Sequence, residues 1–244
     1  MAGFPYEVDV RSGSALGLIV LRVDETIEDD FRSMFSRDDA KLHVTRVLSG
    51  DHLTPETIAA MEAGLTASAG LLPDAVDFDV VGYGCTSGAA MIGPEVVDQR
   101  VREGAATKAV THPLAGLLAA SEELGVRRIG VVSPYIASVG APLAAALSDA
   151  GLVVADTLSF GEEVEARVAR IDPGSVVQAA RDLYRRSDMD AVFLSCTNLR
   201  TFGIIEPLEA ELGVPVLSSN QVLGWHMARL AGVAASGPGR LFLT

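Results

Sequence analysis

Apolar residues fall along this chain in short blocks, and each block is followed by a longer stretch in which polar positions interrupt the apolar ones at helical spacing. Residues 16–21 read as a first buried strand, and the acidic segment 24–35 as the helix after it. Residues 42–47 read as a second strand. Thr54-Pro55-Glu56 pairs a capping hydroxyl with proline at the first helical position, which predicts a helix to about residue 69. A third strand is expected over 78–83.

The rhythm then repeats. Thr111-His112-Pro113 opens a helix that Gly125 stops. Residues 128–132 read as a strand, Ser133-Pro134-Tyr135 as its exit, and 141–150 as the next helix. Strands over 152–158, 191–195 and 215–217 alternate with helices over 173–187, 204–212 and 220–231. Such alternation predicts the α/β class, with central parallel sheets covered by helices on both faces.

Both halves carry one signature. Cys85-Thr86-Ser87 ends the strand at 78–83 and Cys196-Thr197-Asn198 ends the strand at 191–195, about 110 residues later. A lone cysteine at a strand end is most often buried filler. Its repetition instead predicts two similar α/β domains related by a pseudo-twofold axis, with the active site in the cleft between them, because open parallel sheets bind ligands beyond the carboxyl ends of their strands. The expected division is 1–109 plus 218–244 for the domain carrying Cys85, and 110–217 for the domain carrying Cys196. With 244 residues, 49% of them hydrophobic, the chain has material for two cores of about 110 to 120 residues each.

Charge narrows the partners. The 32 acidic residues outnumber 19 basic ones, for a net charge of −13, which argues against nucleic acid or a membrane surface as a partner. No charged segment ahead of an apolar stretch opens the chain, so no signal peptide is expected, and two thiols in a cytoplasmic protein are expected to stay reduced. The histidines at 43, 52, 112 and 226 lack metal-ligand spacing, so no metal is expected. Gly82-Tyr83-Gly84-Cys85-Thr86-Ser87 imitates a dinucleotide fingerprint, but Ser87 stands where the third glycine belongs. Nucleotide binding is therefore not expected. Arg46 and His52 near the end of the second strand read as surface salt-bridging groups, and Asp38-Asp39 and Glu162-Glu163 as solvated faces.

Gly84-Cys85-Thr86-Ser87-Gly88 and Ser195-Cys196-Thr197-Asn198-Leu199-Arg200, with Ser133-Pro134-Tyr135 between them, resemble the aspartate/glutamate racemase superfamily. The resemblance runs from the first strand to Trp225 and is strongest to the branch of maleate cis-trans isomerase, arylmalonate decarboxylase and the racemase-like proteins of ectoine utilisation. It implies a cofactor-independent isomerase or racemase with one catalytic cysteine from each domain, acting on a small substrate at the carbon beside a carboxylate, as a homodimer or higher homo-oligomer. Carried over, Cys85 is the nucleophile and Cys196 the general acid/base, with Tyr135 hydrogen-bonding a substrate carboxylate. Arylmalonate decarboxylases have glycine at the first cysteine position, so Cys85 points away from decarboxylation. That activity, and a non-catalytic carboxylate-binding or thiol-sensing protein, are the alternatives.

Chemistry sets further expectations. Removing a proton beside a carboxylate without a cofactor requires a base, an opposed donor and neutralisation of the carboxylate charge. The hydroxyls and N–H groups of Thr86, Ser87 and Thr197 and the amide of Asn198 are the expected carboxylate ligands. A helix N-terminus after either cysteine would raise its thiolate fraction. Where maleate isomerases carry a carboxylate-binding asparagine, this chain reads Arg22-Val23-Asp24-Glu25-Thr26. A second family asparagine is replaced around Ser159-Phe160-Gly161. Asp24 would repel a carboxylate and attract an ammonium, and it is equally placed to cap the helix that follows.

Overall fold

The computed structural model describes residues 3–8, 13–36, 38, 40–52 and 54–244. Its order begins β1 (Ser14–Leu21), α1 (Ile27–Met34), β2 (Ala40–Val47), α2 (Pro55–Ala69), β3 (Phe78–Gly84), α3 (Thr86–Ile92), α4 (Pro94–Gly104), β4 (Thr107–Thr111) and α5 (Pro113–Leu124). It continues β5 (Arg128–Ser133), α6 (Ala137–Asp149), β6 (Val153–Ser159), α7 (Glu165–Val168), α8 (Pro173–Arg186), β7 (Ala191–Leu194), α9 (Ile205–Leu212), β8 (Val216–Ser218) and α10 (Ser219–Ala231). Asp39 lies outside the described residues, whereas Asp38 and Glu163 are exposed.

Two four-stranded parallel sheets result, in the orders β2-β1-β3-β4 and β6-β5-β7-β8. The order is the same permutation in both. Each sheet reverses winding direction between its first and third strands, β1/β3 in one and β5/β7 in the other, and that switch point is where a crevice opens at the strand ends. Leu16, Leu18 and Val20 pack with Ile27, Phe31, Met34, Leu223 and Met227 beneath α1 and α10. Ile19 and Leu21 face the opposite way, into a second cluster that runs under α2 and α4 and on into the other sheet's core. Burial of each such large side chain contributes roughly 1.5–3 kcal/mol.

Local signals explain the ends. Thr54 closes a capping box with Thr57, and Pro55 occupies the first helical position. His112 Nδ1 accepts the Ala115 N–H at the start of α5, and Gly125 ends that helix at φ 69°, a left-handed conformation natural to glycine. The chain departs from the sequence reading at α3, α4 and β4, which were not expected. β4 is a short strand at the sheet edge whose Lys108 is exposed, and its mixed polarity hides it from an apolar-block reading. α6 starts at Ala137, with Pro142 inside it. α10, following β8 of the second sheet, crosses back to pack on β3 and α5.

Candidate active site

The two cysteines end equivalent strands. Cys85 follows β3 in extended conformation and caps α3, its sulfur accepting the Gly88 N–H at 3.2 Å. The Ser87 hydroxyl lies 3.7 Å from the same sulfur. Gly88 has no room for a side chain: a Cβ there would stand 2.5 Å from the Tyr83 hydroxyl oxygen and 2.8 Å from the Cys85 sulfur. Cys196 follows Ser195 beyond β7 with φ 143°, the positive φ among described non-glycine residues, a strain of about 1–3 kcal/mol that its surroundings must hold in place. The Ser219 hydroxyl does so by accepting the Cys196 N–H at 3.0 Å.

Ser219 also lies 2.7 Å from the Thr86 hydroxyl. A single oxygen at the start of α10 thus ties the two Cys-Thr motifs together. From the other side, the Thr197 hydroxyl donates to the Gly84 carbonyl at 3.3 Å, immediately before Cys85. Asn220 Nδ2 donates both to the Thr197 carbonyl at 2.8 Å and to Asp30 Oδ2 at 2.7 Å. Both thiols are free and buried, with 3% and 5% exposure for Cys85 and Cys196.

Tyr135, at the exit of β5, is buried beside both sulfurs, and the buried Ser195 hydroxyl is its neighbour. Burial, with the Cys196 and Cys85 charges, pushes its phenol well above the usual range. Asp24 caps α1, Oδ1 accepting the Thr26 and Ile27 N–H groups at 2.8 and 2.9 Å. Arg46 does not lie loose on the surface: it donates to the carbonyls of Leu21, Arg22 and Asp24 and pairs with Glu28, bracing the loop that presents Asp24.

Asn198 is placed differently from the expectation. Its Oδ1 accepts the Glu25 N–H at 2.9 Å, and its Nδ2 donates to Glu165 Oε2 at 3.1 Å and to the Glu165 carbonyl at 3.3 Å. Both ends of the amide are committed to the protein, so Asn198 clamps loops from the two halves together. The Arg170 guanidinium, bidentate on Glu25 at 2.7 and 3.0 Å, adds an exposed latch across the same seam.

Glu165 was invisible in the sequence. It opens α7, is 3% exposed, and its N–H donates to the Asp51 carbonyl at 3.1 Å beside an antiparallel bridge between His52 and Val164. Burial drives its carboxyl up to about 7, against the lowering pull of Asn198. Asp30 is likewise raised to about 7 by burial, partly countered by Asn220. Tyr83, beneath Cys85, was read only as a strand residue. Phe160 packs against the core, and Glu165, further along, is the carboxyl whose charge acts on both thiols.

The electrostatics reverse one expectation. Burial pushes the Cys85 thiol up to about 11, with Glu165 adding to the rise, and the N–H of Gly88 and the hydroxyl of Ser87 offset only part of it. Cys196 is raised well above its ordinary value by burial, then by the charges of Glu165, Asp24 and Cys85. No helix follows Cys196 directly; a turn intervenes. Both groups are therefore thiols at neutral pH in the unliganded chain. Among the described residues no group of three or more His, Cys, Asp or Glu is arranged to hold a metal ion, and no helix is long and apolar enough to cross a membrane.

A family profile described as arylmalonate decarboxylase matches residues 94–242. Arylmalonate decarboxylase of Bordetella bronchiseptica is 39% identical over 123 residues, 49% of this chain and 51% of that protein, so the match spans about half of that relative's length. Maleate isomerase of Nocardia farcinica is 26% identical over 239 residues, 93% of this chain and 94% of the relative. A maleate isomerase of Pseudomonas putida solved with maleate shares the fold, with a TM-score of 0.86 at 24% identity, covering 95% of this chain and 98% of that one.

Proposed function

The chain belongs to the arylmalonate decarboxylase family, and from that footing we propose that it is a cofactor-independent isomerase in which Cys85 and Cys196 act on one carbon framework beside a carboxylate. The observation that carries this reading is the pair of buried free thiols at equivalent strand ends, tied through Ser219. Its likeness to maleate isomerase along most of the chain supports cis-trans isomerisation, and racemisation is the other reaction that two opposed thiols can perform beside a carboxylate. On this reading the residues at 1–109 and 218–244 form the unit that carries Cys85, and those at 110–217 the unit that carries Cys196. Free thiols suit a reducing compartment such as the cytoplasm.

For a cis alkene, the Cys85 S–H bond breaks, its proton passing to a carboxylate of the substrate, from which it returns when the C–S bond later breaks, and the sulfur forms a C–S bond to one alkene carbon. The π electron pair moves to the neighbouring carbon, which takes the proton of Cys196. The new single bond rotates, the Cys196 sulfur takes a proton back, and the C–S bond breaks as the double bond re-forms trans. For racemisation, one sulfur removes the proton and the other delivers one to the opposite face. In both, the Tyr135 phenol and the hydroxyls of Thr86 and Ser87 hold the carboxylate as charge builds up, while the Thr197 hydroxyl, expected among these ligands, is committed to the Gly84 carbonyl.

The raised thiols give this scheme a condition: the substrate must supply what ionises a sulfur. Incubation in D2O with maleate, aspartate, hydantoins, arylmalonates and diaminobutyrate derivatives, followed by NMR, tests the proposal. Fumarate from maleate, or deuterium uptake with inversion beside a carboxylate, supports it; no turnover or exchange with any of them refutes it. A second reading, decarboxylation by Cys196 alone, is favoured by the family match, which includes Cys196 and leaves Cys85 outside. It predicts CO2 release that survives Cys85→Ser.

A further inference from the structure

The site is lined by groups of opposite character on two sides, and only one side suits a carboxylate. Around Tyr135 lie hydroxyls, including that of Ser195, which is fully buried and faces the Tyr135 phenol. On the other side lie Asp24 and Glu165. Asp24 is 4% exposed and raised by burial; its Oδ1 caps α1, and its buried Oδ2 makes no hydrogen bond of good geometry, with the Thr197 hydroxyl the donor beside the carboxyl. Asn198, whose Oδ1 accepts the Glu25 N–H and whose Nδ2 donates to the Val23 carbonyl and to Glu165 Oε2, holds the loop that carries Asp24 against Glu165.

Two guanidinium groups at the Asp24 loop are both occupied, Arg46 by three backbone carbonyls and Glu28 and Arg170 by Glu25. The groups whose charges act most strongly on the two sulfurs are Glu165, Asp24 and the sulfurs themselves. A buried carboxylate oxygen without a hydrogen bond of good geometry calls for a cation or a strong donor. A dianionic ligand would bring further negative charge against both carboxyls.

We propose that Asp24 and Glu165 form a subsite for a protonated nitrogen, so that the substrate is a zwitterion whose carboxylate lies on the Tyr135 side and whose ammonium, or similar cationic nitrogen, lies between the two carboxylates. The inference rests on the two-thiol reading for the position of the reacting carbon. The bound cation also bears on the condition left open above: a positive charge beside Glu165 and Asp24 offsets the part of the rise that these carboxylates add to burial, Glu165 at Cys85 and both at Cys196, so a sulfur ionises more readily once the correct substrate is bound.

Binding is read by calorimetry on the folded Cys85→Ser/Cys196→Ser protein, which separates recognition from turnover. The ligands are isosteric amino and hydroxy acids, including alanine against lactate, aspartate against malate and 4-aminobutyrate against 4-hydroxybutyrate. The amino acid of at least one pair binds about tenfold to a hundredfold more tightly, as expected for hydrogen bonds to charged groups. Glu165→Gln and Asp24→Asn, each of which keeps the hydrogen bonds that hold its loop, reduce that preference about tenfold or more. Equal affinities, tighter hydroxy acids, no binding of any amino acid, or a preference untouched by both substitutions overturns the subsite. Such a failure leaves the thiol chemistry standing, and loss of the thiol chemistry leaves the binding preference standing.

Discussion

Asn198 donates its side-chain amide to Glu165 Oε2 at 3.1 Å, fixing a buried carboxyl beside two thiols. This contact does not keep the carboxyl ionised: burial raises it from 4.5 to about 7. A carboxyl raised by folding stabilises the folded state fully below its unfolded value, and that contribution is lost as pH climbs through the folded value. Folding stability therefore falls between about pH 4.5 and 7, with Asp30, also raised to about 7, adding to the slope. Glu165→Gln flattens its share of that slope and raises stability at pH 8 by up to about 3 kcal/mol. Urea melts across pH 4.5–8 check the slope.

The thiols themselves are measurable. In Cys196→Ser protein, the pH dependence of the alkylation rate by iodoacetamide reports Cys85 alone, and its midpoint is expected at about 11. Adding Glu165→Gln removes a negative charge and lowers the midpoint.

Ser219 is the group that holds the strained Cys196 backbone and reaches Thr86. Ser219→Ala leaves a buried N–H without its acceptor, which destabilises the fold by about 1–3 kcal/mol. Turnover falls further than the melting temperature alone explains, because both motifs lose their shared anchor. A thermal melt paired with kcat at a temperature where the variant is fully folded separates the two effects.

Gly88→Ala places a methyl against the Tyr83 hydroxyl and the Cys85 sulfur. Overpacking of this kind typically costs 1–3 kcal/mol, and it displaces the sulfur that accepts the Gly88 N–H. The expected result is a folded protein with kcat reduced about tenfold or more and slower alkylation of Cys85 in a Cys196→Ser background.

Much of this architecture is legible in the sequence because the apolar blocks are long and the caps are explicit, as at Thr54-Pro55 and at Gly125. The repeated Cys-Thr pair and Tyr135 are legible for the same reason: each stands at a strand end marked by a preceding apolar run. β4 is not, because an edge strand needs no continuous apolar face. Glu165 is not, since it stands three residues beyond Glu162 with nothing local to separate a buried carboxyl from solvated ones; only the clamp by Asn198, 33 residues on, draws it inward. The thiolate expectation reversed because it weighed what a helix N-terminus after a cysteine would do, whereas sequence does not show the burial that outweighs it.

The central claim is that both sulfurs are required. Turnover of the responsive substrate by Cys85→Ser and by Cys196→Ser, followed by NMR in D2O beside the parent protein, tests it most directly. Each variant is expected to keep its fold and lose about 10²-fold to 10⁴-fold or more in rate, as removal of an acid/base or nucleophilic group does. Full activity in Cys85→Ser would contradict the account.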